Sequence, residues 1–105
     1  MAHTVLVVDY NEDIFRSLRI NFAESGWLTL WVKNGAGALT EVARDEVDIV
    51  LLDLSLGDEN GIDVLEDIQR VRPGLPVVII TGFGTFEAAV RAVKLGAFDF
   101  LAKPL

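Results

Sequence analysis

The sequence predicts an α/β fold in which a doubly wound, five-stranded parallel sheet carries helices on its faces. Short apolar runs alternate with segments of helical periodicity, and three of these runs are continuously apolar and rich in β-branched residues. A parallel strand that is covered on both faces has such a continuous run. The resulting order, βαβαβαβαβ, implies right-handed crossovers and an open sheet.

The strand candidates are the apolar runs 5–8, 28–32, 49–52, 77–80 and 98–101. The second run alternates apolar residues with Thr29, Trp31 and Lys33, which is typical of an edge strand. Four helices are predicted between the strands, with the apolar stripes Phe15, Leu18, Phe22; Leu39, Val42, Ala43, Val47; Val64, Leu65, Ile68, Val71; and Phe86, Ala89, Val90, Val93. Turns and helix C-caps are expected at Gly26, Gly61, Pro73, Gly74, Pro76 and Gly96.

Length and composition restrict the class of protein. A chain of 105 residues has the usual size of one domain, so we predict a single domain over residues 1–105. The net charge of −7 repels a phosphate backbone, which predicts no direct nucleic-acid binding. The apolar runs fall well short of the roughly 18–20 residues of a membrane span, so no membrane partner is expected. The absence of cysteine suits the reducing cytoplasm, which is the predicted location.

Polar side chains end four of the predicted strands. Asp9, Asp53, Thr81 and Lys103 follow the first, third, fourth and fifth apolar runs. In open α/β sheets the functional crevice lies beyond the carboxyl ends of the strands, so these side chains should meet there. Any single Asp or Thr could simply cap a helix or open a turn, but capping does not explain the whole set.

The four side chains suit a hard cation together with a phosphoryl group. Mg²⁺ takes one or two carboxylates with phosphate oxygens, while an ammonium and a hydroxyl hold the remaining oxygens. The crevice has no His and the chain has no Cys, so the nucleophile would have to be a carboxylate. Asp53 is favoured over Asp9 because it ends the most apolar strand and the following loop, 55–60, can turn a backbone carbonyl toward the metal.

These residues resemble a known family. The motifs that carry the resemblance are Val7-Val8-Asp9, Leu51-Leu52-Asp53-Leu54, Asn60-Gly61, Thr81-Gly82 and Lys103-Pro104. Together they resemble the receiver domain of bacterial two-component response regulators over the whole chain. Segments 81–90 and 96–105 are most similar to receivers of sigma-54-dependent transcription activators. The resemblance implies a flavodoxin-like fold with strand order 2-1-3-4-5.

The resemblance implies that Asp53 accepts a phosphoryl group from a phosphohistidine on a sensor histidine kinase. Mg²⁺ would be held by Asp53, by Asp9 largely through water, and by the backbone carbonyl of Ser55. Lys103 would pair with the phosphoryl oxygens. Such a domain is a phosphorelay component that assists its own phosphorylation rather than an enzyme, and its downstream output, such as transcription, belongs to a domain outside this chain.

The resemblance also implies a switch. Thr81 would hydrogen-bond to the phosphoryl group and draw its loop inward, and Phe100 would fill the vacated space. Since Phe100 has no hydroxyl, this switch would act by packing alone. We further expect a cis peptide bond between Lys103 and Pro104, both from the resemblance and because Lys103 must be directed into the crevice.

Tyr10 departs from the family pattern, which has a second, metal-binding acid after the first strand. A neutral phenol cannot replace a carboxylate on Mg²⁺, so Tyr10 should weaken the metal site. Asn11, Glu12 or Asp13 could supply the missing ligand, although Glu12 and Asp13 more simply stabilise the first helix N-terminus. An alternative function is therefore an atypical receiver that binds protein partners without phosphorylation.

Two other classes of role are disfavoured. A flavin or nucleotide binder needs a glycine-rich phosphate loop after the first strand, and the acidic segment 9–13 has the wrong charge. Trp27 and Trp31 are interpreted as packing residues rather than a cofactor cage. Asp58 and Glu59 lie in a glycine-flanked loop and are expected to be solvated.

The chain ends at Pro104-Leu105, where the family fold continues into a closing helix. We therefore expect a receiver domain truncated before that helix. The sheet face beside the first helix should then expose an apolar patch, and exposed patches of this kind recruit partners. Self-association follows as a hypothesis, to be checked by light scattering.

Overall fold

The computed structural model describes residues 2–82 and 86–103. These residues form the elements β1 (Thr4–Val8), α1 (Glu12–Glu24), β2 (Leu28–Val32), α2 (Gly35–Val42), β3 (Ile49–Asp53), β4 (Ser55–Leu56), β5 (Glu59–Asn60), α3 (Gly61–Val71), β6 (Val77–Thr81), α4 (Phe86–Lys94) and β7 (Asp99–Ala102). The expected cis bond involves Pro104, which lies outside the described residues. No helix among the described residues is long and apolar enough to cross a bilayer.

The five longer strands form one parallel sheet in the order β2-β1-β3-β6-β7. Counting these strands alone, the order is 2-1-3-4-5, which confirms the prediction. β2 lies at an edge, as its alternating pattern predicted. β4 and β5 form a small antiparallel hairpin in the segment that was predicted as a loop.

The sheet separates two cores. Helix α1 covers one face, where Phe15, Leu18 and Phe22 pack against the buried cluster Val5, Val7, Leu51, Val78 and Ile80. Helices α2, α3 and α4 cover the other face, where the buried residues include Leu6, Val8, Val50, Leu52 and Ile79. The continuous apolar runs of the central strands thus supply both cores, because successive side chains point to opposite faces.

The face beside α1 is covered at its centre. Val78 and Ile80 are buried there, while Leu101, which pairs in register with Ile80, remains 45% exposed. In the part of the chain that the structure describes, apolar exposure on this face is therefore concentrated at the edge strand β7. The exposed patch and the self-association that it would favour both stay predictions.

Helix α4 buries part of the predicted stripe. Ala89 is buried and Val90 is half-buried, as predicted, whereas Phe86 is 66% exposed, Val93 is exposed, and Ala92 is buried instead. Small side chains on the buried face allow the backbone of α4 to lie close to its neighbours, which explains why alanines face the core instead of larger apolar residues. Phe86 instead meets Phe100 edge to face, with ring centroids 5.8 Å apart.

The predicted boundary glycines divide into two kinds. Gly26 and Gly96 follow α1 and α4 with φ of +82° and +116°, as expected for residues that end helices. Gly61 also lies at an element boundary, as predicted, but it begins α3 instead of ending a helix. A Cβ atom at Gly61 would overlap the backbone of Leu54 and lie 2.7 Å from the carbonyl oxygen of Asp53. Gly61 therefore lets α3 start directly against the strand end that carries Asp53.

We expect Gly61→Ala to destabilise the fold by about 1–3 kcal/mol, because the added methyl group meets rigid backbone atoms. Gly74→Ala is the matched control, since a Cβ atom there has nothing within 4 Å and should change stability by less than about 0.5 kcal/mol. Urea unfolding followed by circular dichroism measures both values. Equal stability of the two variants would contradict the close contact at Gly61.

Candidate functional site

The four strand-end residues lie at one edge of the sheet, where the side chains of Asp9, Asp53 and Lys103 meet as predicted, while Thr81 is joined to Lys103 through the backbone. Asp9 follows β1, Asp53 ends β3, Thr81 ends β6, and Lys103 follows β7. Asp9 is 1% exposed, and Asp53 and Thr81 are also buried. Burial of two carboxylates is unfavourable unless a positive charge compensates them.

Lys103 supplies that charge. Its Nζ atom donates hydrogen bonds to Oδ2 of Asp9 at 3.0 Å and to Oδ2 of Asp53 at 2.9 Å. Burial lowers the pKa of Lys103, but the hydrogen bonds and charges of Asp53 and Asp9 outweigh it, so the pKa lies above its ordinary value. The ammonium thus holds together two acids that would otherwise repel each other.

The other oxygen of each carboxylate is fixed by its own backbone. Oδ1 of Asp9 accepts a hydrogen bond from the Asn11 amide at 2.9 Å, and Oδ1 of Asp53 accepts one from the Ser55 amide at 2.9 Å. Both contacts are local turns in which an Asp side chain bonds two residues ahead. They orient both Oδ2 atoms toward Lys103.

Asp9 is also held through its main chain by strand β2. Its amide donates to the carbonyl of Val32 at 3.1 Å, and its carbonyl accepts a hydrogen bond from the indole N–H of Trp31 at 2.9 Å. The Trp31 ring stacks on Phe15 with a centroid distance of 6.2 Å. The sequence predicted the packing role of Trp31 but missed the hydrogen bond. The missed signal was that an indole N–H on a half-buried strand needs an acceptor.

Tyr10 lies at the mouth of the crevice. Its side chain is 60% exposed, and its ring packs against Gly57, where a Cβ atom would lie 2.9 Å from the ring. The crevice has a volume of about 470 Å³ and is lined by Asp9, Tyr10, Asn11, Asp53, Ser55, Gly57, Gly82 and Lys103. Tyr10 therefore lies beside the crevice, at the sequence position where the family pattern has a second acid.

The oxygen atoms in the crevice that could bind a metal suit a hard cation such as Mg²⁺, but they are few. Among the described residues, no group of three His, Cys, Asp or Glu side chains is placed to hold a metal. Asn11 caps α1 by accepting from the Asp13 amide, and Glu12 pairs with Arg16 at 3.3 Å. Glu12 and Asp13 thus lie in the first turn of α1, as the dipole argument predicted, whereas the capping role of Asn11 was not predicted. Two carboxylates and nearby backbone carbonyls are within the range that Mg²⁺ accepts.

Thr81 and Phe100 occupy the neighbouring strands β6 and β7. The Thr81 carbonyl accepts a hydrogen bond from the Lys103 amide at 2.7 Å, so these two predicted site residues are joined through the backbone. Phe100 is half-buried and packs against the core beneath α2, α3 and α4. Its contact with Phe86 links β7 to the exposed face of α4.

Comparison with known families matches residues 5–105 to the response regulator receiver domain. The chain belongs to this receiver family. Receiver domains generally bind Mg²⁺ at the phosphorylation site. The relatives are NtrX-, GlrR- and PilR-type sigma-54-dependent response regulators, which confirms the resemblance drawn from the motifs.

Individual relatives support the same assignment. The transcriptional regulatory protein GlrR of Escherichia coli K12 is 35% identical over 99% of this chain, which spans 23% of that protein. The crystal structure of the receiver domain of NtrX from Brucella abortus superposes with a TM-score of 0.89 at 34% identity, covering 96% of this chain and 86% of that one. A response regulator from Burkholderia pseudomallei, solved with a phosphorylated aspartic acid, a calcium ion and citrate, gives a TM-score of 0.89 at 28% identity over 98% of this chain and 61% of that one.

We expect Trp31→Phe to destabilise the receiver by about 1–3 kcal/mol, because the Asp9 carbonyl loses its donor while an aromatic ring is kept. Trp27→Phe is the control, since the structure records ring contacts of Trp27 with His3 and Phe22 rather than an indole hydrogen bond. Urea unfolding followed by circular dichroism gives both values. Equal losses in the two variants would assign the effect to packing instead.

We expect Lys103→Met to lower stability at neutral pH by less than the roughly 3–5 kcal/mol typical of breaking a fully buried ion pair, because the Lys103 side chain is 31% exposed. Since the pKa of Lys103 is raised on folding, its contribution is complete at neutral pH and declines as the pH rises through that raised value. Urea unfolding at a series of alkaline pH values should show the two proteins converging. Lys94→Met controls for loss of an exposed lysine, and a difference independent of pH would contradict the bridge.

Proposed function

We propose that this receiver domain accepts a phosphoryl group on Asp53 from the phosphohistidine of a sensor histidine kinase, and that the modification switches an output such as transcription. The observation that carries the proposal is the Lys103 bridge between two buried carboxylates at the carboxyl edge of the sheet. A purely structural ion pair needs only one acid, whereas this arrangement holds a second acid, Asp9, beside the acceptor.

The transfer forms a bond between a carboxylate oxygen of Asp53 and phosphorus while the bond from phosphorus to the imidazole nitrogen breaks. Oδ2 of Asp53 faces Lys103 and is the proposed attacking atom, because the phosphoryl group then forms beside the ammonium. The ammonium then moves its hydrogen bond from the carboxylate to the new phosphoryl oxygens. Such positioning and charge compensation account for most of the catalysis in phosphoryl transfer.

Asp9, Asp53 and the backbone carbonyl of Ser55 would hold Mg²⁺ in this crevice. When bound, Mg²⁺ would neutralise part of the negative charge on the phosphoryl oxygens. Tyr10 stands where the family pattern has another acid, so the site offers fewer negative charges and its Mg²⁺ affinity is weakened.

Thr81 and Phe100 would transmit the modification. The Thr81 hydroxyl would donate to a phosphoryl oxygen and draw its loop inward, and Phe100 would then fill the space that this movement vacates. Support for this coupling is the backbone hydrogen bond from Lys103 to Thr81 and the contact of Phe100 with Phe86. The phosphorylated aspartic acid in the Burkholderia pseudomallei relative supports the acceptor chemistry by similarity.

A second candidate function is a receiver that binds protein partners without phosphorylation. Tyr10 favours this candidate, because it replaces an acid of the metal site and its ring packs on Gly57 at the crevice mouth. On this alternative, Lys103 would act as the permanent counter-ion of Asp9 and Asp53.

The deciding experiment is incubation with a small-molecule phosphodonor and Mg²⁺, followed by intact-mass measurement. The proposal expects the mass of one added phosphoryl group, its loss in Asp53→Asn, and its loss when Mg²⁺ is chelated. Absence of the adduct in the native chain, with the adduct appearing in Tyr10→Asp, would support the phosphorylation-independent alternative.

We expect Tyr10→Asp to bind Mg²⁺ more tightly by roughly tenfold or more, which corresponds to about 1.4 kcal/mol. The added carboxylate supplies the hard ligand that the phenol lacks. Tyr10→Asn is the control, because it removes the ring without adding a charge and should leave the affinity close to that of the native chain. Isothermal titration calorimetry measures all three, and equal affinities would place residue 10 away from the metal.

A further inference from the structure

The β4–β5 hairpin connects the acceptor strand to α3, and one of its acids makes a contact that the sequence did not predict. Glu59 is exposed, as expected, but its Oε1 atom also accepts a hydrogen bond from the Gly35 amide at 2.8 Å. Gly35 is the first residue of α2 and is 24 residues away in sequence. The hairpin is therefore tied to a helix on the same face of the sheet.

The contact is closely fitted on the helix side. A Cβ atom at Gly35 would lie 2.5 Å from Oε2 of Glu59 and 2.8 Å from a methyl carbon of Val64, so glycine leaves the room that the carboxylate needs. Asn34 caps the same helix through the Gly37 amide at 2.8 Å. Glu59 thus satisfies a different free amide of the first turn, where a negative charge is favoured.

The hairpin transmits this restraint to the crevice. Glu59 pairs with Leu56 and Asn60 pairs with Ser55 across the two short strands. Leu56 is buried, so β4 is anchored on its inner side as well. Ser55 and Gly57, which line the crevice, therefore lie on a strand and turn that are held from α2 through Glu59.

We propose that Glu59 is a positioning residue, which fixes the β4–β5 hairpin against α2 and so sets the place of Ser55 and Gly57 beside Asp53. The proposal rests on the proposed function of Asp53 as a phosphoryl acceptor. Loss of the Glu59 contact frees the hairpin, so the backbone donors and acceptors beside Asp53 are less well ordered when the phosphoryl group arrives. Ordered placement of such groups is what accelerates phosphoryl transfer.

The test compares Glu59→Ala and Glu59→Gln with Asp58→Ala in the whole chain. Glu59→Gln keeps an oxygen acceptor for the Gly35 amide, whereas Asp58→Ala removes the same charge from the adjacent position of the hairpin. Amide hydrogen exchange by NMR reports the Gly35 contact and the hairpin. In Glu59→Ala we expect exchange at Gly35 and Asn60 to rise roughly 3- to 30-fold, as for loss of a helix cap, with little change in the other two variants.

The second readout is the rate at which Asp53 is modified by a small-molecule phosphodonor with Mg²⁺. We expect Glu59→Ala to be slower, with the native rate retained in Glu59→Gln and in Asp58→Ala. An unchanged rate in Glu59→Ala, while the native chain is modified, overturns the positioning role and leaves the proposed function standing. A native chain that is never modified overturns the proposed function, while the exchange pattern still decides whether Glu59 holds the hairpin. Equal exchange in Glu59→Ala and Asp58→Ala overturns the hairpin restraint itself.

Discussion

The crevice depends on one electrostatic constraint: two carboxylates buried at neighbouring strand ends need a cation between them. Lys103 meets this need with one hydrogen bond to Asp9 and one to Asp53. Because Lys103 follows β7, Asp9 follows β1 and Asp53 ends β3, the bridge joins these strands at the carboxyl edge of the sheet. Any cation or phosphoryl group that enters must therefore exchange partners with this ammonium, so the chemistry of the site and the stability of this edge are coupled.

Most of the framework could be predicted because its signals are repeated along the chain. Continuous apolar runs predicted the central strands, and the alternating run predicted the edge position of β2. The strand-end rule then placed Asp9, Asp53, Thr81 and Lys103 at one edge without any distance information. The strand positions and the strand-end residues depend on apolar periodicity and on the order of elements along the chain, both of which can be read directly from the sequence.

The misses have a common physical cause, which is contact between residues far apart in sequence. Phe86 fitted the apolar period of α4, yet alanines face the core and Phe86 meets Phe100 on β7. Gly61 was predicted only as a boundary residue, whereas in the fold it allows the close approach of α3 to β3. Glu59 and Trp31 were interpreted by residue type, although their hydrogen bonds to Gly35 and Asp9 depend on which backbone groups the fold brings near them.

The hydrogen bond from the Trp31 indole to the Asp9 carbonyl has a consequence for the fluorescence of the protein. The Trp31 indole donates to the carbonyl of Asp9, whose carboxylate contacts Lys103, whereas the Trp27 ring contacts His3, which precedes β1. A change of charge in the crevice is therefore expected to alter the fluorescence of Trp31 more than that of Trp27. Replacing either indole in turn assigns the signal, so occupancy of the crevice can be followed without an attached dye.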